Sequence, residues 1–154
     1  MSGAAVVALL VRYGMVLLFL PFSALDKILG FKGAVRQAEE IFRPRLVAAA
    51  VLLAGLAVEI VCTLGVVTGV ADRLCAFIVA GYCAATALLF KRFWVPGDFW
   101  ANPDGKGRGL FWDFLKNLSL GAGFLLLVVG SDGAGLSAFL DHPFSSTQPY
   151  GGRP

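Results

Sequence analysis

Two charged side chains lie well inside long apolar stretches of this sequence. Arg12 belongs to the first stretch and Glu59 to the second. A charge at such a depth in a bilayer costs about 2.5–3.5 kcal/mol or more, unless it is paired, hydrated or close to an interface. The two groups could form a structural ion pair that fixes the register of the helices, or they could handle a proton or a polar substrate group. We take Arg12 and Glu59 as the candidate catalytic residues, and both interpretations stay open.

A second set of polar side chains lies nearer the ends of the apolar stretches. Asp26 and Lys27 close the first stretch, whereas Lys116 and Asn117 begin the fourth and follow Trp112. At similar depth these groups could form a substrate-binding cluster. The alternative is that the lysines extend their charges to the membrane surface. Trp112 could equally be an interfacial anchor.

Helical spacing predicts how the first stretch is oriented. Arg12, Val16, Phe19, Ser23 and Asp26 are separated by steps of three or four residues and therefore form one stripe on a helix. Such a stripe is expected to face the neighbouring helices, so that the charges are sheltered from lipid.

The depths of the two buried charges can be compared by counting residues at about 1.5 Å each. Arg12 then lies about 25 Å above Leu29, and Glu59 lies about 20 Å above Leu46. Gly55, one turn before Glu59, would allow a close helix approach. Because a guanidinium matches a carboxylate in bidentate fashion, the sequence predicts an Arg12–Glu59 pair.

Four helical spans must position these residues. The chain is 58% hydrophobic and only 15% charged, whereas soluble domains average about 45–50% and about 25%. The apolar stretches are long enough to cross a bilayer and show no alternation of period two, so they predict helices. The expected fold is an all-α, integral membrane four-helix bundle over residues 1–130, with spans at about 6–29, 46–69, 73–93 and 114–130. Residues 131–154 form a tail rich in proline and glycine.

The distribution of positive charge predicts the orientation. Ten of the thirteen Lys and Arg residues lie on the side of the two long connectors: Lys27, Lys32, Arg36, Arg43, Arg45, Lys91, Arg92, Lys106, Arg108 and Lys116. The other side holds Arg12, Arg73 and Arg153 and is flanked by Asp132 and Asp141. Since short cytoplasmic loops are enriched in Lys and Arg, both connectors are expected in the cytoplasm and both termini outside.

Aromatic residues are concentrated in the connector between the third and fourth spans. Tryptophan and other aromatic rings favour the headgroup level of a bilayer. This connector is therefore expected to lie along the membrane surface; a quinone pocket is the alternative for its rings. The residues are Phe93, Trp94, Phe99, Trp100, Phe111, Trp112 and Phe114.

Several other site types are disfavoured by composition. A net charge of +3 without a basic cluster does not indicate a nucleic-acid partner. The single histidine, His142, cannot supply paired imidazoles, so no metal site is expected. Cys62, Cys75 and Cys83 lie within apolar stretches and are interpreted as packing residues.

Four segments resemble the DoxX family of small bacterial membrane proteins. They are RYGMVLLFLPFSALDKILGF at residues 12–31, GLAVEIVCTLG at residues 55–65, Arg73, and FLKNLSL at residues 114–120. The resemblance implies a four-helix membrane bundle in a bacterial inner membrane. It places the family's recurrent polar positions on Arg12, Lys27, Glu59, Lys116 and Asn117. Some members of this family are membrane subunits of quinone-linked oxidoreductases, and others associate with redox or thiol-homeostasis enzymes.

The resemblance and the buried charges together favour a membrane subunit of a redox assembly that supports electron transfer to the quinone pool. Any enzymatic role would be that of an accessory subunit, with quinone as a mobile ligand and partner proteins carrying the other cofactors. Two alternatives stay open: a non-enzymatic anchor or assembly factor for a partner oxidoreductase, and a small transporter. A homo-oligomer is also compatible with the sequence.

Overall fold

The computed structural model describes residues 3–130 and 135–151, and within these ranges all regular structure is helical. Four helices are long and apolar enough to cross a membrane, which confirms the predicted four-helix membrane bundle. Two short helices were not predicted. The helices are α1 (Gly3–Leu29), α2 (Phe31–Glu39), α3 (Arg45–Thr68), α4 (Asp72–Phe90), α5 (Lys106–Val129) and α6 (Gly135–Asp141), of which α2 and α6 are the short ones. Asp132 and Arg153, which entered the prediction of orientation, lie outside the described residues.

The four long helices alternate in direction and bury a narrow apolar core. Phe124 of α5 is fully buried and lies against Phe19 of α1, with ring centroids 6.2 Å apart. Helices α4 and α5 approach closely at Gly121, where a Cβ would lie 3.3 Å from the carbonyl oxygen of Ala80. Cys62 and Cys83 belong to the same core, in agreement with their interpretation as packing residues. Large apolar side chains cover the outer faces, as expected where the neighbour is lipid.

Helices α1 and α3 each contain a π-helical segment near the middle of the bundle. In α1 the segment runs from Leu18 to Ser23 and includes Pro21, and Leu20 has non-helical dihedral angles. Proline lacks the N–H that a helix interior requires, which explains the break. In α3 the segment runs from Val58 to Cys62 and contains Glu59. The two segments pack against each other. Such π-helical turns are frequent at functional sites.

The first connector is largely helical and packs against the start of α3. Val35 and Ala38 of α2 form a small apolar cluster with Ala48, and Leu52 lies against it. The first turns of α3 therefore pack beside α2 and not beside α1. This arrangement shifts α3 along the bundle axis relative to α1.

The second connector folds back on the first turns of α5. Phe93 lies at its centre, with ring centroids 5.1–5.5 Å from four other rings: Trp94, Phe99, Phe111 and Phe114. Asp98 Oδ1 accepts a hydrogen bond of 2.8 Å from the N–H of Gly107. This bond satisfies one of the backbone N–H groups in the first turn of α5 that have no partner within the helix. As a result α5 begins at Lys106, eight residues before the predicted boundary at 114. Gly107 and Gly109 lie in the first turn of this helix.

Replacing Gly107 with alanine is expected to lower the free energy of unfolding by about 1–3 kcal/mol. Its Cβ would overlap the Asp98 carboxylate and would lie 3.1 Å from the carbonyl oxygen of Phe93. Gly109, two residues further, is the matched control because nothing lies within 4 Å of its Cβ position. Gly109→Ala should be neutral or slightly stabilising. Detergent unfolding curves of both variants test this, and equal effects would contradict it.

The C-terminal segment 135–151 packs against the opposite end of the bundle. Phe139 of α6 is buried and contacts Phe77 of α4 at a centroid distance of 5.2 Å. Further on, the Tyr150 hydroxyl donates to the carbonyl oxygen of Val67. The described part of the tail therefore closes this end of the bundle.

Candidate functional site

The first polar cluster surrounds the carboxylate of Glu59 between α1, α3 and α4. Glu59 Oε1 accepts three hydrogen bonds: from Lys27 Nζ at 2.7 Å, from the Tyr82 hydroxyl at 2.8 Å and from the Ser23 hydroxyl at 3.0 Å. Lys27 Nζ also lies 2.5 Å from Ser23 Oγ. We call these four residues the Glu59 cluster. Both π-helical segments contribute to it, since Ser23 ends one and Glu59 lies in the other.

The second oxygen of Glu59 differs sharply from the first. Glu59 is 2% exposed, and within the described part of the chain its Oε2 has no hydrogen-bond partner. An unsatisfied acceptor in an apolar environment is costly, so such an atom requires an explanation such as a ligand or a proton. Lys27 beside it is 23% exposed. The cluster thus combines a buried acceptor with a cation near the bundle surface, which is suitable for binding a polar headgroup or for moving a proton.

The second polar cluster closes the end of the bundle where the tail packs. Arg12 Nη1 lies 2.8 Å from Asp72 Oδ2 and donates at 2.6 Å to the carbonyl oxygen of Val66. Arg12 Nη2 donates to the Thr147 hydroxyl at 2.6 Å, and Thr147 donates from its N–H and its hydroxyl to the two Asp72 oxygens. We call Arg12, Asp72 and Thr147 the Arg12 cluster. Its members satisfy one another and join α1, α4 and the tail.

The predicted Arg12–Glu59 pair is therefore wrong, because each residue has a different partner. The prediction assumed that the ends of α1 and α3 lie at one level. At about 1.5 Å per residue, Ser23 is about 9 Å from the end of α1, whereas Glu59 is about 21 Å from the start of α3. Since these two side chains meet, α3 is displaced along the axis. The α2 helix beside the first turns of α3 accounts for this displacement.

The structure does not bring the five predicted substrate-binding residues together. Only Lys27 joins the Glu59 cluster. Asp26, on the same turn, is exposed, and Lys116 is exposed and lies 3.6 Å from Asp113. Asn117 is half-buried and Trp112 is 57% exposed. The residue that faces α3 after Ser23 is Lys27, four positions further along the helix. Asp26, three positions further along, is exposed.

Four residues of the two clusters were not predicted as site residues, although one of them, Ser23, was placed on the predicted stripe of α1. Asp72 begins the third span, where an acidic residue is favoured by the helix dipole. Tyr82 is the single tyrosine of that span. Both could have been found by asking which polar side chains of α4 could satisfy the buried charges. Nothing in the sequence signals Thr147, since its contact with Arg12 depends on how the tail folds back.

The arrangement does not resemble a metal centre. Among the described residues, no group of three or more His, Cys, Asp or Glu side chains is placed to hold an ion. The Glu59 cluster itself offers three hydrogen-bond donors and one carboxylate.

Comparison with known proteins gives a consistent family assignment. The DoxX family model matches residues 7–92, more than half of the chain. A curated relative, Inner membrane protein YphA of Escherichia coli (strain K12), is 30% identical over 134 residues, which cover 86% of this chain and 89% of that protein. No solved structure matches the chain at a significant level. The family match includes the whole Glu59 cluster and, from the Arg12 cluster, Arg12 and Asp72. The chain belongs to the DoxX family.

Proposed function

We propose that the chain is a membrane subunit of a redox assembly that supports electron transfer to the quinone pool, and that the Glu59 cluster contacts the quinone headgroup. The observation that supports this most is the buried Oε2 atom of Glu59, which accepts no hydrogen bond from the described residues. An acceptor without a donor at this depth favours a ligand that brings a hydroxyl.

The donors beside Glu59 suit the other form of the same ligand. Lys27 Nζ and the Tyr82 hydroxyl both lie within 2.8 Å of Glu59 Oε1, so either could instead donate to a quinone carbonyl. A quinol hydroxyl would donate to Oε2. Quinone reduction consumes protons, and a carboxylate hydrogen-bonded to a lysine and a tyrosine provides groups that hold and transfer them. Redox cofactors would belong to partner proteins, so the role is that of an accessory subunit.

The contacts within the Arg12 cluster favour a structural role for Arg12 over a catalytic one. Arg12 and Asp72 are both buried, and their polar atoms are engaged with each other, with Thr147 and with the Val66 carbonyl oxygen. A group whose hydrogen bonds are already satisfied has little capacity left for a ligand. We therefore propose Glu59 as the residue that acts on the ligand and Arg12 as the residue that fixes the bundle end.

Quinone retention by the purified protein tests this proposal. We expect protein purified in mild detergent to carry extractable quinone and Glu59→Gln to carry roughly tenfold less, because a hydrogen bond to a charged group contributes about 1.5–3 kcal/mol. Asp26→Asn is the matched control, since it removes an exposed carboxylate from the facing helix. Absence of quinone from the unaltered protein, or equal retention by both variants, would refute the proposal.

A second candidate function, a non-enzymatic anchor for a partner oxidoreductase, is favoured by the exposed tryptophans of the second connector. Trp100 is 89% exposed and Trp94 is 50% exposed. If anchoring is the function, Trp94→Ala with Trp100→Ala releases the co-purifying partner in the same preparation, whereas Glu59→Gln leaves it bound.

We also propose an inner-membrane location with both connectors in the cytoplasm and both termini outside. The name of the relative YphA and the excess of Lys and Arg on the connector side support this.

A further inference from the structure

A shallow, largely open cavity of about 670 Å³ lies at the end of the bundle that carries the connectors. It lies where α2 ends and α3 begins. Its walls are formed by charged side chains and one proline: Arg36, Glu39, Glu40, Arg43, Pro44 and Arg45.

The three arginines provide a concentration of positive charge on one side of this cavity. Arg36 belongs to α2, Arg43 lies in the turn between α2 and α3, and Arg45 is the first residue of α3. All three are exposed, and Arg45 Nε is 3.8 Å from Glu39 Oε1, a loose contact that leaves its guanidinium accessible. Guanidinium groups bind phosphate in a planar, often bidentate fashion. The N-terminus of α3, which is the positive end of its helix dipole, also attracts an anion.

Two carboxylates also line the cavity and add negative charge to it. Glu39 is the last residue of α2 and Glu40 follows it, and both line the same space as the arginines. A site for a plain phosphate would not gain from two carboxylates, because they repel an anion. A ligand that carries both a phosphate and an ammonium group would be complementary to all five charges.

Lipid-facing apolar side chains lie directly beside the cavity. Leu46 is 80% exposed and Val47 is 41% exposed, and both follow Arg45 on α3. In a spanning helix such side chains contact acyl chains. The cavity is therefore placed at the level where phospholipid headgroups meet the hydrocarbon core.

We propose that this cavity binds a phosphoethanolamine phospholipid, with the phosphate on Arg36, Arg43 and Arg45 and the ammonium on Glu39 and Glu40. A phosphatidylglycerol headgroup lacks the cation, and a choline headgroup lacks N–H donors for the carboxylates. This inference goes beyond the proposed redox function and does not depend on it, since the cavity shares no residue with the Glu59 cluster.

Native mass spectrometry of the full chain in mild detergent tests the proposal. Phosphatidylethanolamine, phosphatidylglycerol and phosphatidylcholine of one acyl composition are added at equal concentration. We expect bound phosphatidylethanolamine to exceed each of the others by roughly tenfold, the effect of one lost charge-assisted contact. Equal occupancy by the three lipids would overturn the proposal.

Two sets of variants make the test specific to the cavity. Arg36→Ala with Arg43→Ala should reduce the binding of all phospholipids, whereas Glu39→Gln with Glu40→Gln should reverse the preference in favour of phosphatidylglycerol. Lys32→Ala is the matched control, as it removes an exposed cation of α2 that does not line the cavity. Unfolding midpoints confirm that each variant is folded. An unchanged lipid preference in the glutamine variant would overturn the proposal.

Discussion

Arg12→Met is expected to lower the free energy of unfolding by about 3–5 kcal/mol, because it leaves a buried carboxylate without its cation. Asp72 has a fully buried side chain, and Arg12 Nη1 is 2.8 Å from its Oδ2. The same substitution removes the donors to Thr147 and to the Val66 carbonyl oxygen. The remaining N–H and hydroxyl of Thr147 cannot compensate for the lost charge. The tail should then detach from the bundle end.

Detergent unfolding curves and limited proteolysis of the tail measure these two effects. Arg92→Met is the matched control, because it removes an exposed arginine from a connector. The double variant Arg12→Met with Asp72→Asn should recover part of the loss, since it also removes the unpaired charge. If Arg12→Met behaved like the control, the pair would contribute little and the Arg12 cluster would not fix the bundle end.

The helical spans were predictable because bilayer thickness imposes a length on every apolar segment. α1 and α3 begin and end within a few residues of their predicted bounds. The start of α5 was not predictable in this way, because it depends on a hydrogen bond between Gly107 and Asp98 and on the aromatic packing around Phe93. The α2 helix was missed because its apolar face is only two turns long and gains its stability from α3.

Three charged residues of the two clusters, Arg12, Lys27 and Glu59, were predictable, but Asp72 and the pairing of the charges were not. A buried charge is conspicuous in an apolar sequence, so Arg12 and Glu59 could be selected directly. Their partners depend on the axial position of α3, which is set by α2, and on the π-helical segment at Ser23. The distance of Glu59 from the start of α3 and the distance of Ser23 from the end of α1 differ by about 12 Å, at about 1.5 Å per residue. An axial shift of this size is enough to give Arg12 and Glu59 different partners. Such a shift leaves the hydropathy pattern unchanged.

Lys27→Met is expected to lower the free energy of unfolding by about 3–5 kcal/mol, because the Glu59 carboxylate would stay buried with only hydroxyl donors from Ser23 and Tyr82. Glu59→Gln should cost less, since an amide keeps an acceptor for these donors and carries no charge. The double variant Lys27→Met with Glu59→Gln is therefore expected to be more stable than Lys27→Met alone. Lys32→Met is the matched control, because it removes an exposed lysine.

A double-mutant cycle of detergent unfolding curves measures the coupling free energy between Lys27 and Glu59. If the losses of the two single variants were additive in the double variant, the predicted coupling would be contradicted. The cycle also separates structure from function at the Glu59 cluster. Replacing a buried ion pair with neutral groups is often neutral or stabilising, so stability alone does not explain why both charges are present. A double variant that folds well but retains no quinone would show that the charges serve the ligand. One that folds well and retains quinone would leave Lys27 and Glu59 with a purely structural role.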